Sequence, residues 1–295
     1  MRVFITGGLG FIGQSISEVL KDHDVTVYDT VIDNFRRKYF ENVNFIQGDI
    51  LDIEHLTTSM KDHDVVIHLA AYMNSSMDIN HYIRGANVNI NGTLNVIDAM
   101  KTNGINKLVF FSSSFVYGNT VGGNEEHSKN PHTGYGVTKI ACERFLHGVD
   151  YVIVRPSIVC GTYDWYGQSI SIFIKQAITT GEIKLFKGSE NTVRDYVNSE
   201  DVAGFVRLII DKKMFNNEVY NLSSGEGINS LNLANKIAEI TNCKVSIVDK
   251  QSFTKLHTLS LDNSRAKQYY NFKKLDEYLP EYIEWAKNNH QEYWK

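Results

Sequence analysis

Tyrosine and lysine stand four residues apart in Tyr135-Gly136-Val137-Thr138-Lys139, where the pattern predicts a helix running to about Phe145. One helical turn separates them, so both side chains can point into one site. A phenol of ordinary pKa near 10 carries protons at neutral pH only if its anion is stabilised, by roughly 4 kcal/mol for a shift to about 7. An ammonium at about 5 Å supplies roughly 3 kcal/mol of that at an effective dielectric of 20. Hydroxyls are also at hand. Ser112-Ser113-Ser114 closes a predicted strand, with Ser113 22 residues before Tyr135, and such a strand end is where open α/β sheets present their ligands.

A second chemistry is written near the start of the chain. Gly7-Gly8-Leu9-Gly10-Phe11-Ile12-Gly13 spaces glycines three apart between a predicted strand and a predicted helix. Absent side chains let the backbone approach a pyrophosphate, and the helix start offers unpaired N–H groups and partial positive charge. Asp29 ends the next predicted strand, 22 residues after Gly7, where a carboxylate can accept hydrogen bonds from an adenosine ribose. The same charge opposes a 2′-phosphate and selects NAD over NADP. Arg36 and Arg37 read as a solvated loop. An oxidised nicotinamide would add the rest of the positive charge that a tyrosinate needs.

The elements that must position these groups alternate between strand and helix. Strands are expected at Val3–Thr6, Val25–Asp29, Asn44–Gln47, Val65–Ala70, Lys107–Ser112 and Tyr151–Arg155. With helices between them they predict a doubly wound parallel sheet. Beyond Pro156 the alternation loosens and a second lobe is expected to begin; the pattern then gives a helix near Ser169–Thr180, a strand near Val193–Val197 and helices near Glu200–Asp211 and Leu231–Thr241. The expected division is residues 1–158 with 187–212 returning to them, against 159–186 and 213–295.

At 295 residues and 42% hydrophobic, the chain can bury a large core. No uninterrupted apolar run reaches the ~18 residues of a membrane span. The start of the chain leaves no room for a signal peptide, so a cytoplasmic protein is expected. Three cysteines without CxxC spacing and histidines without ligand spacing predict neither disulfide nor metal. A formal charge of -4 with no basic run gives no electrostatic reason for a nucleic-acid partner.

The order Gly7-x-x-Gly10-x-x-Gly13, His68-Leu69-Ala70-Ala71, Asn89-x-x-Gly92-Thr93, Ser112-Ser113, Val116-Tyr117-Gly118, Tyr135-x-x-x-Lys139, Arg155-Pro156 and Arg194-Asp195-Tyr196 resembles the extended short-chain dehydrogenase/reductase family. Its best-known members are NAD-dependent epimerases and dehydratases of nucleotide sugars. The resemblance covers residues 1 to about 226 and implies a Rossmann-type α/β fold with a smaller C-terminal α/β substrate lobe. It implies NAD contacts from Gly7, Gly10, Phe11, Ile12, Gly13 and Asp29, and from Asp49 and Ile50 at the adenine. Leu69, Ala70, Ala71, Asn89, Ser112 and Pro156 would line the cofactor channel, and Tyr135 and Lys139 would reach the nicotinamide end. Catalysis falls to Ser113, Tyr135 and Lys139, and substrate contact to Ser113, Ser114, Tyr135 and Arg194. The family commonly pairs subunits through the helices around Thr93–Met100 and Lys139–Leu146, which implies a homodimer.

Departures from the family pattern narrow the reaction. Members that eliminate water carry an acidic pair where this chain has Ser114 and Phe115, and decarboxylases carry a glutamate at the second position. Remaining are a nucleotide-sugar 4-epimerase working through a transient ketone, a one-way dehydrogenase or ketoreductase, and, from another class, a non-catalytic NAD-binding regulator. The retained Tyr-Lys pair speaks against the last. Ile158 replaces an asparagine that touches the diphosphate in many relatives, and Lys250–Asp262 offers lysines 250 and 255 but no second phosphate-binding arginine. A different secondary alcohol therefore stays open beside the nucleotide sugar. Cys142 and His68 read as packed residues.

Overall fold

The computed structural model describes residues 1–32, 43–74, 78–164, 167–251 and 258–294. Arg36, Arg37 and Lys255 lie outside the described residues.

The chain forms two compact units that interleave along the sequence. The first holds residues 1–118, 127–156 and 202–220, and the second holds 119–126, 157–201 and 221–295. Of the segment 187–212, expected to return to the first unit, only Val202–Lys212 belongs there. The strand at Val193–Asn198 pairs within the second unit, which keeps 187–201 with it.

In the first unit the sheet is built from β1 (Arg2–Thr6), β2 (Asp24–Asp29), β3 (Val43–Gln47), β4 (Val65–His68), β5 (Lys107–Phe111), β7 (Asp150–Pro156) and β11 (Glu218–Leu222). Their order is β11-β7-β5-β4-β1-β2-β3, with the expected parallel pairing from β7 through to β3. Val3, Phe4, Ile5, Val65, Val66 and Ile67 are fully buried, as expected for strands covered on both faces. Helices α1 (Phe11–Val19), α2 (Ile53–Ser59), α3 (Ile79–Gly85), α4 (Gly92–Thr102) and α5 (Gly134–Phe145) follow in chain order. A π-helical turn, Ala86–Asn91, joins α3 to α4. Because β1 lies between β2 and β4, the sheet reverses direction of winding there. The carboxyl ends of β1 and β4 flank that switch point, where ligands of such sheets bind.

The second unit carries a sheet of order β12-β10-β14-β6, from β6 (Thr120–Gly123), β10 (Val193–Asn198), β12 (Gly227–Asn229) and β14 (Leu259–Leu261), with β8 (Ile158–Cys160) alongside β10. A separate parallel pair joins β9 (Glu182–Lys187) to β13 (Lys244–Gln251). Its core gathers Ile170, Phe173 and Ile174 of α6 (Ser169–Thr180), Leu233 and Ile237 of α8 (Ser230–Thr241), and Tyr278, Leu279 and Ile283 of α10 (Leu275–Tyr293). Helix α7 (Ser199–Lys212) belongs to the first unit from Val202 onward, and α9 (Ser264–Lys267) lies in the second. Among the described residues no helix is long and apolar enough to cross a membrane.

Candidate active site

The glycine loop takes its shape from backbone contacts that leave no space for side chains. Gly7 sits at φ +70°, where a Cβ would meet Ala70 N at 2.7 Å and Ala70 Cα at 2.8 Å. At Gly13 a Cβ would meet the Cα and O of Gly8 at 2.6 Å and Gly7 O at 2.7 Å. At Gly10 it would approach only Gly7 O, at 3.1 Å, so the outer lip of the loop is open to a ligand. Gly10 caps α1 without a side chain, and the first turn carries no acid, leaving the leading N–H groups of the helix for an anion. These features fit a dinucleotide. Asp29 is brought to the same loop: its Oδ2 accepts from Leu9 N at 3.0 Å. Asp49 is exposed beyond β3, where Tyr28 Oη donates to its carbonyl at 3.0 Å. Ile50 is buried behind it, with the bare backbone of Gly92 against its side chain.

On the other side of the switch point Leu69 N and Ala70 N both donate to Thr6 O at 3.0 Å, which splays the chain outward at the end of β4 and leaves Ala71 exposed. His68, just before, is buried between the Thr6 and Thr93 hydroxyls at 2.7 and 2.9 Å. Burial, with Lys139 acting in the same direction, holds its imidazole down to about 3. Asn89 lies in the π turn. Its amide oxygen accepts from Tyr72 N at 2.7 Å, its amide nitrogen donates to Tyr72 O and to Thr138 Oγ1 at 3.0 and 2.8 Å, and its carbonyl receives the Cys142 thiol at 3.1 Å. It therefore ties the strand-exit loop to α5, and Cys142 packs there as expected.

Helix α5 starts at Thr133, whose hydroxyl accepts from Gly136 N at 3.1 Å. Gly136 lets its first turn press against the short 3₁₀ turn Ser114–Val116, since a Cβ there would meet Phe115 O at 2.6 Å. That approach sets the Tyr135 ring edge-on to Phe115, centroids 6.2 Å apart. Ser113 caps the 3₁₀ turn, its hydroxyl accepting from Phe115 N at 3.2 Å, and Ser114 is buried inside it. Lys139 is buried; its ammonium donates to Phe111 O at 2.7 Å and lies 5.7 Å from the centre of the Tyr135 ring. Ser112, Ser113, Tyr135 and Lys139 thus converge at the carboxyl end of β5, and Pro156 ends neighbouring β7.

Electrostatically, burial lowers Lys139 to about 8. Burial also pushes the Tyr135 phenol above its ordinary value. Cys142 acts in the same direction as burial, so the downward shift expected from the tyrosine-lysine pair is not produced by the protein groups.

Sequence reasoning misses Glu143. It stands one turn past Lys139 and forms a buried ion pair with Arg155, Nη2 to Oε2 at 2.7 Å. The signal is the continuation of the four-residue spacing Tyr135, Lys139, Glu143 along one helical face.

In the second unit Arg194 is partly buried on β10, donating to Val193 O at 3.2 Å, and among the described residues no carboxylate pairs with it. Burial lowers its guanidinium from the usual value. Neighbouring Asp195 turns to Ser224 and Leu261 instead. Ile158 packs on the apolar core of this unit, and Lys250 lies over the Phe186 ring at 5.6 Å. A cleft of about 420 Å³ lined by Tyr196, Glu226, Asn232, Lys236 and Asp276 contains none of the expected site residues.

Residues 3–223 match the sequence model of the NAD dependent epimerase/dehydratase family. A UDP-glucuronate 4-epimerase of Thermodesulfobacterium geofontis is 29% identical over 97% of this chain and 96% of its own. A dTDP-glucose 4,6-dehydratase of Mycobacterium tuberculosis is 28% identical over 77% of this chain and 73% of its own. The crystal structure of a UDP-glucose 4-epimerase with UDP-glucose from Thermotoga maritima superposes with a TM-score of 0.87 at 27% identity, covering 98% of this chain and 99% of that one.

Proposed function

Because the chain belongs to the NAD-dependent epimerase/dehydratase family, we propose that it is a nucleotide-sugar 4-epimerase in which Tyr135 moves the proton of the carbon-4 hydroxyl. The observation that carries this reading is the convergence of Tyr135, Lys139 and Ser113 at the end of β5, with Ser114 and Phe115 beside them. A buried hydroxyl and a phenyl ring cannot act as the acid and base that elimination of water requires. NAD, when bound, supplies the chemistry of accepting a hydride and giving it back. Ser113 and Ser114 offer hydroxyls to the sugar, Tyr135 takes and returns the proton, and Lys139 stabilises the phenolate. Arg194, a partly buried cation that no carboxylate among the described residues pairs with, suits a diphosphate by its planar donor fork.

The cofactor assignments follow the same reading. Gly7, Gly10 and Gly13 admit the pyrophosphate to the N–H groups of Phe11 and Ile12, Asp29 holds the adenosine ribose, and Asp49 and Ile50 border the adenine. Leu69, Ala70, Ala71, Ser112 and Pro156 line the channel, and Asn89 shapes it from behind. With Asp29 at the ribose, NAD is expected to bind at least about tenfold more tightly than NADP, since one unfavourable charge contact costs over 1 kcal/mol. Competitive titration checks this, and equal affinities would remove Asp29 from the role. A homodimer belongs to the proposal too: Leu94 on α4 and Val137 and Phe145 on α5 are 40%, 53% and 41% exposed, an apolar face suited to a second copy.

The direct test is a panel of nucleoside diphosphate sugars. An epimerase inverts carbon 4 without added NADH, without net absorbance change at ~340 nm, and without solvent deuterium entering carbon 4. Stoichiometric NADH with a stable ketone would make the protein a dehydrogenase, and strict dependence on added NADH a reductase.

A further inference from the structure

We infer that Glu143 is a positioning residue for the proton transfer, fastening helix α5 to the ends of β5 and β7 with its carboxylate one helical turn from Lys139. The inference rests on the reading that Tyr135 and Lys139 move the proton. Tyr135, Lys139 and Glu143 succeed one another at four-residue steps, so they share a face of α5. Glu143 Oε1 accepts from Ser112 Oγ at 2.5 Å and from Arg155 Nε at 2.9 Å, while Oε2 accepts from Arg155 Nη2 at 2.7 Å. Arg155 Nη1 then donates to Tyr117 Oη at 2.7 Å. The two charged side chains are 3% and 9% exposed, so the forked pair is held in a dry setting where its geometry is stiff. One carboxylate thus joins the residue beside Ser113, the strand that ends at Pro156, and the helix that carries the tyrosine.

The position also matters for charge. Lys139 is faced by Tyr135, Cys142 and Glu143 from its own helix, by the Phe110 ring and Phe111 carbonyl from β5, and by His68 from β4. His68 is held neutral, and burial pushes the Cys142 thiol up. Arg155 on β7 takes both oxygens of Glu143. Among the described residues Glu143 is therefore the fixed negative charge that acts on this ammonium, opposing the burial that lowers it to about 8. Loss of that charge should let Lys139 deprotonate at lower pH, and activity should fall away earlier on the alkaline side.

Glu143→Gln removes the charge at constant size. Its kcat is expected to drop at least about tenfold, with the alkaline limb of the kcat profile displaced downward by about one pH unit and KM nearly unchanged. Glu143→Asp keeps the charge but shortens the reach; it should lose kcat while its alkaline limb stays in place. An unmoved limb in the Gln variant, or a loss of kcat that merely follows the unfolded fraction measured by circular dichroism, would overturn the inference. Should the Gln variant fail to fold, a parental kcat in the Asp variant would overturn it equally. Tyr135→Phe separates the two readings. Turnover surviving in that variant brings down the proton-transfer reading itself, whereas an inactive Phe variant beside an unshifted Gln variant removes only the role of Glu143.

Discussion

Tyr135→Phe is expected to lower turnover of the sugar substrate at least about 100-fold, the usual contribution of a positioned acid-base group. The phenol makes no hydrogen bond to any described residue, so its removal leaves no buried partner unpaired. The ring's edge-on contact with Phe115 and its place beside the lysine are unaffected by the loss of one oxygen. NAD affinity and thermal midpoint should therefore stay near those of the parent, and the defect should appear in kcat. Single-turnover kinetics with calorimetric NAD titration separate these quantities. A variant with parental kcat would exclude Tyr135 as the proton carrier.

Gly13→Ala is expected to weaken NAD binding about 100-fold, and the reasoning is steric. The new methyl would lie 2.6 to 2.7 Å from three backbone atoms of Gly7 and Gly8, none of which is the flexible end of a side chain. Relief requires the loop to move off the helix, at a cost of about 2–3 kcal/mol of overpacking, which is close to two decades in dissociation constant. The amides of Gly10 through Ile12 move with it. Titration of NAD against the folded variant measures the effect, and undiminished affinity would mean that the pyrophosphate lies elsewhere.

Much of the first unit is legible in sequence because its strands are short apolar runs, buried on both faces and separated by helices of clear period. Each of the six expected strands lies within two residues of the observed one. The second unit is harder to read. Three of its strands, Ile158–Cys160, Gly227–Asn229 and Leu259–Leu261, are three residues long. They pair with partners distant in sequence, so no local pattern announces them. Helix Leu275–Tyr293 is different, for its apolar positions at 275, 278, 279, 282, 283 and 286 do keep helical spacing; charged residues between them hide it from a reading by runs. At the site, residue types and spacing single out the tyrosine, lysine and glycines. The ion pair of Glu143 with Arg155 depends on two elements meeting in space, and only its helical half is visible beforehand. The burial that raises Tyr135 also needs coordinates, because desolvation depends on what surrounds the ring.

The imidazole of His68, clasped by two threonine hydroxyls and held down to about 3 by burial, is neutral at neutral pH and leaves this strand end electrically silent. A histidine free to titrate there would superimpose its own midpoint on any pH–rate curve and would repel a cationic nicotinamide each time it gained a proton. With that voice muted, His68 adds no midpoint of its own to a pH–rate profile recorded between about pH 5 and 9.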